Sequence, residues 1–206
     1  MFPLLILAAG RSSRMRGADK LAQEIDGMPL LRRQVAAAIA AGAHAHVALR
    51  PGDPRATLIS GLDAVILPLE ESAEGMGGTL RAGVARLPPA RRFGLMPADL
   101  PDLDAAMIAR VIAAASRDDG ALVWRGATAA GRPGHPVFCD AALRPRFAAL
   151  SEAQGGRAVL APYAARTRLV PLPGEAALRD LDTPEDWAGW RARKRAEEYA
   201  PPPGTG

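Results

Sequence analysis

The sequence predicts an α/β protein built as three α/β/α layers around a mostly parallel sheet. Three observations carry this. Short aliphatic runs alternate along the chain with longer, Ala-rich segments of helical period. The runs are apolar throughout instead of alternating, as in strands covered on both faces. The chain has 206 residues, 49% of them apolar and few aromatic, which is enough length for an aliphatic core. Strand–helix alternation of this kind implies parallel strands joined by right-handed crossovers.

Taken in order, the aliphatic runs predict strands over residues 3–8, 46–50, 64–67, 93–96, 121–124 and 168–171. The periodic segments predict helices over 29–41, 54–60, 77–86, 104–116, 141–149, 156–161 and 183–195. Asp182-Thr183-Pro184-Glu185 offers cap candidates and a proline near the first turn of the last helix. Asp102 and Asp104 flank the start of the helix near Ala105. Pro133-Gly134-His135-Pro136 breaks the rhythm and begins an irregular or antiparallel element. The whole reads as one domain over residues 1–195, with a patternless tail over 196–206 that is expected to be disordered.

Charge and composition exclude several classes. The net charge of +4 comes from scattered arginines. The one basic run, Arg191 to Arg195, is followed by Glu197 and Glu198 and reads as a solvated helix end, so no nucleic-acid partner is expected. Cys139 is the only cysteine, so no intramolecular disulfide forms; beside Phe138 it reads as core. The apolar opening lacks a basic region before it and reads as a buried strand, not a leader. No stretch approaches the ~20 apolar residues of a membrane span. The expectation is a soluble cytoplasmic protein with no membrane partner.

The loop after the first strand gathers Gly10, Arg11, Ser12, Ser13, Arg14, Arg16 and Lys20. Glycine permits a sharp turn with amides near an anion, and the cations suit phosphate oxygens. By charge alone the segment fits an anion site or an ordinary basic surface loop equally well. It is neither a Walker A loop nor a dinucleotide fingerprint, since the glycine spacings differ. Asp99, beyond the strand at 93–96, stands where a carboxylate can hold a hard cation, or can cap a helix.

Five segments in register resemble a known family. They are Leu7-Ala8-Ala9-Gly10-Arg11-Ser12-Ser13-Arg14-Met15 with Lys20, Gly75-Met76-Gly77-Gly78-Thr79-Leu80-Arg81-Ala82-Gly83, Pro97-Ala98-Asp99-Leu100-Pro101, Gly134-His135-Pro136-Val137-Phe138, and Asp180-Leu181-Asp182-Thr183-Pro184-Glu185-Asp186. Together they resemble nucleotidyltransferases with a MobA-like fold, and within them the MocA-type molybdenum cofactor cytidylyltransferases. The resemblance implies a Rossmann-like nucleotidyltransferase fold and transfer of a nucleoside monophosphate from an NTP to a phosphorylated acceptor, with release of pyrophosphate. CTP and a molybdopterin acceptor follow from the subgroup. Ala9, where guanylyltransferase relatives carry glycine, agrees with CTP.

Residue by residue, the resemblance implies that Leu7, Ala8, Ala9, Gly10, Arg11 and Ser12 hold the nucleotide's phosphates. Arg14 and Lys20 stabilise the departing charge, and Asp99 holds Mg²⁺. Asp182 is either a second metal carboxylate or the cap of the last helix, with Asp180 a lesser candidate. Gly75, Gly77, Gly78 and Thr79 would cradle base and ribose, and Arg81 is either solvated or reaches a phosphate. His135 is an acceptor-site or structural residue; His44 and His46 are structural. Arg16-Gly17, displaced by one place from the family's Arg-Met-Gly, marks a local departure. Gln154-Gly155-Gly156-Arg157 lacks the acid that is frequent there. The alternatives are another NTP such as GTP, a sugar-phosphate acceptor, or a non-catalytic nucleotide-binding accessory of a molybdoenzyme; the intact set of Arg14, Lys20 and Asp99 speaks against the last.

Overall fold

The computed structural model describes residues 1–198. Seven strands form one sheet in the order β5-β4-β1-β6-β8-β7-β9: β1 (Pro3–Leu7), β4 (His44–Leu49), β5 (Ala64–Pro68), β6 (Arg92–Pro97), β7 (Val123–Ala127), β8 (Pro133–Asp140) and β9 (Thr167–Pro171). All pairings are parallel except those of β8, which runs antiparallel to both β6 and β7. The break at Pro133 is therefore the start of the one reversed strand, as its loss of rhythm suggested.

Helices cover both faces. On one lie α1 (Leu30–Ala40), α3 (Ala105–Ala115) and α6 (Pro184–Glu198), packed through Leu31, Val35, Ile108, Val111, Trp187 and Trp190 onto Ile6, Val47, Trp124 and Phe138. On the other lie α2 (Met76–Arg86), α4 (Arg144–Ala148) and α5 (Gly156–Leu160), packed through Leu80, Val84, Phe147 and Val159 onto Leu5, Leu95, Val137 and Cys139. Strands buried on both faces explain why β1 reads Leu4-Leu5-Ile6 with no polar alternation. Burial pushes the Cys139 thiol up to about 12, which leaves it an inert core group.

Several elements differ from their sequence expectations. Residues 54–60 form 3-10 turns, Pro54–Ile59, instead of an α-helix. The segment at 141–149 splits into a 3-10 turn and the short α4, because Pro145 supplies no amide and is tolerated only in a first helical turn. Helix α6 runs to Glu198, so residues 196–198 are helical; the rest of the expected tail lies outside the described residues. A two-stranded hairpin, β2 (Glu24–Ile25) and β3 (Met28–Pro29), turns through Asp26 at φ 53° and Gly27 at φ 74°. Positive φ at both central positions suits an Asp-Gly pair.

From β1 the chain passes to β4 and β5 on one side, then crosses to β6 on the other. The crevice outside the carboxyl ends of β1 and β6 is thus a topological switch point, where open α/β sheets take ligands. Among the described residues, no helix is long and apolar enough to cross a membrane.

Candidate active site

A cleft of about 340 Å³ opens at that switch point. Of the sequence-predicted residues it is lined by Leu7, Ala8, Ala9, Gly10, Arg11, Lys20, Gly75, Thr79 and Asp99, with Ser72, Ala73 and Met76 on the far wall. Three separate strand ends therefore converge: the loop after β1, the start of α2 after β5, and the turn after β6.

Lys20 is the centre of charge. Its Nζ donates to Asp99 Oδ2 at 2.5 Å and to Asp182 Oδ1 at 2.7 Å. Arg14 Nη1 reaches the other oxygen of Asp182 at 2.8 Å. Burial opposes the ammonium, but the two carboxylates outweigh it and hold the Lys20 pKa above the ordinary lysine value. Asp180 stands beside them: burial, then the charges of Asp182 and Asp99, push its carboxyl upward. Arg14 and Asp182 complete this cluster at the edge of the cleft.

The capping alternative for Asp182 is resolved by the geometry. Thr183 Oγ1 accepts from the Asp186 amide at 3.1 Å, and Asp186 Oδ2 accepts from the Thr183 amide at 2.9 Å. This is a reciprocal capping box with Thr183 as the cap. The Asp182 side chain is left to point at Lys20 and Arg14. Asp102, expected to flank α3, instead anchors α6 by accepting from Trp190 Nε1 at 2.8 Å and pairing with Arg179. The α3 cap is Asp104, which accepts from the Met107 amide.

Four predicted site residues lie elsewhere than expected. Gly77 and Gly78 do not line the cleft. A Cβ on Gly77 would stand 1.9 Å from Ser151 O, and one on Gly78 2.2 Å from Glu71 O, so both glycines are needed for backbone packing behind the wall. Ser12 faces inward: its hydroxyl donates to Asp19 and accepts from the Lys20 amide and from Arg55. Arg81 is half-buried and is engaged by Leu150 O and Glu74, away from the cleft lining. Thr79 lines the cleft, with its hydroxyl donating to Gly75 O at 2.9 Å. In the displaced pair, Arg16 takes φ 52° and turns outward to Glu185 at 2.6 Å, leaving the phosphate loop.

His135 is the third residue of β8. Burial, then the charge of Arg125, lower its pKa to about 4, so the ring is neutral near pH 7, and its Nδ1 has no hydrogen-bond partner among the described residues. Arg125, which the sequence did not single out, runs along the sheet and donates from Nε to Gly134 O at 3.2 Å. Arg55 was also missed. It lies in a 3-10 turn remote in sequence from every motif, and only the contacts described below reveal it. Both His44 and His46 serve β4: the buried His46 ring packs against His44 and hydrogen-bonds its carbonyl oxygen.

A glycine-turned cationic loop, a lysine and two carboxylates thus converge at a switch point, an arrangement suited to an anionic ligand. A family model described as the MobA-like NTP transferase domain matches residues 4–168. The chain belongs to this family. It is accordingly a nucleotidyltransferase, and its substrate includes an NTP.

Solved structures of similar fold accompany this MobA-like chain. Rv0371c from Mycobacterium tuberculosis H37Rv is 24% identical with a TM-score of 0.74, over 92% of this chain and 96% of that one. A Methanothermobacter nucleotidyl transferase is 21% identical with a TM-score of 0.72, over 96% and 99%. A CMP:2-keto-3-deoxy-manno-octonic acid synthetase complexed with CTP is 16% identical with a TM-score of 0.72, over 95% and 98%. Rv0371c has also been solved in complex with manganese, a structure 22% identical at a TM-score of 0.68, over 97% and 99%. A search of curated protein sequences gave no match.

Proposed function

We propose that this MobA-like transferase is of the MocA type and transfers CMP from CTP to the phosphate of a molybdopterin-type cofactor, releasing pyrophosphate. The observation that carries the reading is the Lys20 ammonium held between Asp99 and Asp182, beside the cleft-lining residues Ala9, Gly10 and Arg11. Two carboxylates converging on one cation fit Mg²⁺, which takes one or two carboxylates and completes its shell with waters and phosphates; among the described residues no larger ligand cluster is present. Asp99 and Asp182 would hold the ion, whose contribution when bound is to neutralise the substrate phosphates. The manganese complex of Rv0371c supports a divalent cation in this fold.

In this reading the amides of Ala9, Gly10 and Arg11, within the Leu7–Ser12 segment, hold the triphosphate. Arg14 and Lys20 turn from the carboxylates to the charge that builds on the departing pyrophosphate. An oxygen of the acceptor phosphate forms the new bond to the α-phosphorus as the bond to the bridging oxygen breaks. That oxygen is already anionic, so no general base is needed, in keeping with the neutral His135. Gly75, Met76 and Thr79 face the base and ribose. His135 and Arg125 lie on the acceptor side, where the Arg125 guanidinium meets, among the described residues, no carboxylate at ion-pair distance. CTP is favoured by Ala9 and by the CTP complex of the synthetase neighbour. We take residues 1–195 as one domain acting in the cytoplasm, with a molybdoenzyme as the recipient of the product.

The test is pyrophosphate release from each of the four NTPs with Mg²⁺, with and without molybdopterin. Release that requires CTP and molybdopterin is expected. Release from GTP, or with a sugar-type acceptor such as the synthetase neighbour's name suggests, would move the assignment to that substrate. Nucleotide binding without release from any pair would leave a non-catalytic accessory protein.

A further inference from the structure

Arg55 is 3% exposed, in the 3-10 turns that follow β4. A guanidinium has five N–H donors. All five are used here, and all on the phosphate loop or the residue before Lys20. Nη1 donates to Ala8 O at 2.6 Å and to Gly10 O at 2.7 Å. Nη2 donates to Ser12 Oγ at 3.0 Å and to Asp19 Oδ1 at 2.7 Å, and Nε to Asp19 Oδ2 at 2.7 Å. The Arg55 backbone is itself tied, its amide donating to Asp53 Oδ1 at 3.1 Å.

Two consequences follow from peptide geometry. In a trans peptide the N–H points opposite to the C=O. With the carbonyls of Ala8 and Gly10 captured by Arg55, the amides of Ala9 and Arg11 are turned away from it, and these two residues line the cleft. Among the described residues, the amides of Ala9, Gly10 and Arg11 donate to no protein acceptor. They form a concavity of N–H groups suited to anionic oxygens. Asp19, gripped by the fork of Arg55, also accepts from the Leu21 amide at 3.0 Å, while the Lys20 amide donates to Ser12 Oγ at 3.3 Å. Lys20 is thus fixed on both sides before any ligand arrives.

We propose that Arg55 is the positioning residue of the triphosphate cradle: without touching the nucleotide, it sets the direction of the Ala9 and Arg11 amides and, through Asp19, the station of Lys20. Its effect is preorganisation, since the loop does not have to be ordered at the expense of binding energy. Burial opposes the Asp19 charge, but the hydrogen bonds from Arg55 and the Leu21 amide outweigh it and hold the Asp19 pKa below the usual carboxylate value, so the grip persists at neutral pH.

The inference rests on the nucleotidyl-transfer reading, and its test separates the two. Binding of inorganic triphosphate with Mg²⁺ is measured by calorimetry, beside KM and kcat for the NTP and the melting temperature. Arg55→Lys keeps the charge but cannot hold two carbonyls and a carboxylate at once; Asp19→Asn keeps the shape and weakens the grip from the loop side. Each is expected to weaken triphosphate binding about tenfold or more, as the loss of roughly one charge-assisted hydrogen bond predicts, and to raise KM more than it lowers kcat. Val111→Ala, in the core away from the loop, supplies a destabilised control that should bind triphosphate as the wild type does. Where Arg55→Lys does not fold, Asp19→Asn alone decides. Wild-type affinity in the folded variants overturns the role of Arg55 alone, whereas a wild-type protein that binds neither triphosphate nor any NTP overturns the functional reading with it.

Discussion

Lys20 and Asp99 face each other across the carboxyl ends of β1 and β6, Nζ to Oδ2 at 2.5 Å, and Asp182 closes the other side of the same ammonium at 2.7 Å. The lysine occupies the position between the carboxylates, and Arg14 pairs with the second oxygen of Asp182, so two carboxylates meet two side-chain cations.

Replacing either carboxylate removes half of that seat. Asp99→Asn and Asp182→Asn are each expected to lower kcat by on the order of 100-fold, the scale seen when one electrostatic group is removed from a transition state. The concentration of Mg²⁺ for half-maximal rate should rise in both, with the far-ultraviolet spectrum unchanged. Chelation should abolish activity and added Mg²⁺ restore it; full activity in chelator would sink the metal assignment.

The wall formed by α2 depends on two glycines with no ligand of their own. Gly77→Ala places a methyl group 1.9 Å from Ser151 O, and Gly78→Ala one 2.2 Å from Glu71 O. Backbone must move in each case, so a loss of about 1–3 kcal/mol is expected from overpacking, read by urea denaturation. KM for the NTP should rise as Met76 and Thr79 shift. Substitution without loss of stability would show that Ser151, for Gly77, or Glu71, for Gly78, is not held against the helix as described.

The Thr183 cap aims the neighbouring carboxylate. Thr183→Ala should cost about 1 kcal/mol of stability and Thr183→Ser much less, since serine caps as well. Activity should follow the same order, because Asp182 enters the site from the residue before the cap. Equal activity of the alanine and serine variants would uncouple the cap from the site.

Acid stability should depend on Asp102. Burial opposes its charge, but hydrogen bonds from Trp190 and Arg179, then the charges of Arg179 and Lys194, hold its pKa below the unfolded value of 3.8. A depressed pKa contributes stability that is full above the unfolded value and is lost as the pH falls through the folded one. Asp102→Asn should therefore be less stable than wild type near neutral pH, by about 2 kcal/mol for a broken buried network. The difference should shrink as the pH falls below 3.8 and through the depressed folded-state pKa. A constant difference across that range, measured by denaturant titration, would remove Asp102 from the acid limb.

The sheet was legible because strands covered on both faces cannot alternate, and Leu4-Leu5-Ile6 or Phe93 to Met96 admit few other readings. The reversal of β8 was visible only as a break, since two prolines and a glycine spoil periodicity without giving direction. The hairpin at Asp26-Gly27 carried a turn signal, but its strands are two residues each, too short for a pattern. At the cleft, Gly10, Lys20 and Asp99 were singled out by the family resemblance, since charge alone left the loop equally readable as an ordinary surface segment. Gly77 and Gly78 looked like ligand contacts because glycine marks any close approach, and here the approach is to Ser151 and Glu71. Arg55 had no local signal at all: its partners are 36 to 47 residues away, and a lone arginine after Asp53-Pro54 looks the same whether buried or solvated.

Lys20 and Asp182 are separated by 162 positions along the chain. Synthesis from the N-terminus delivers the phosphate loop, Arg55 and Asp99 well before the residues that dock α6. Until that helix docks, the lysine has one carboxylate partner and the cation seat is half-built. A ligand that needs both carboxylates therefore adds its binding free energy only to the finished chain, and protects against early proteolysis no intermediate that lacks its C-terminal helix.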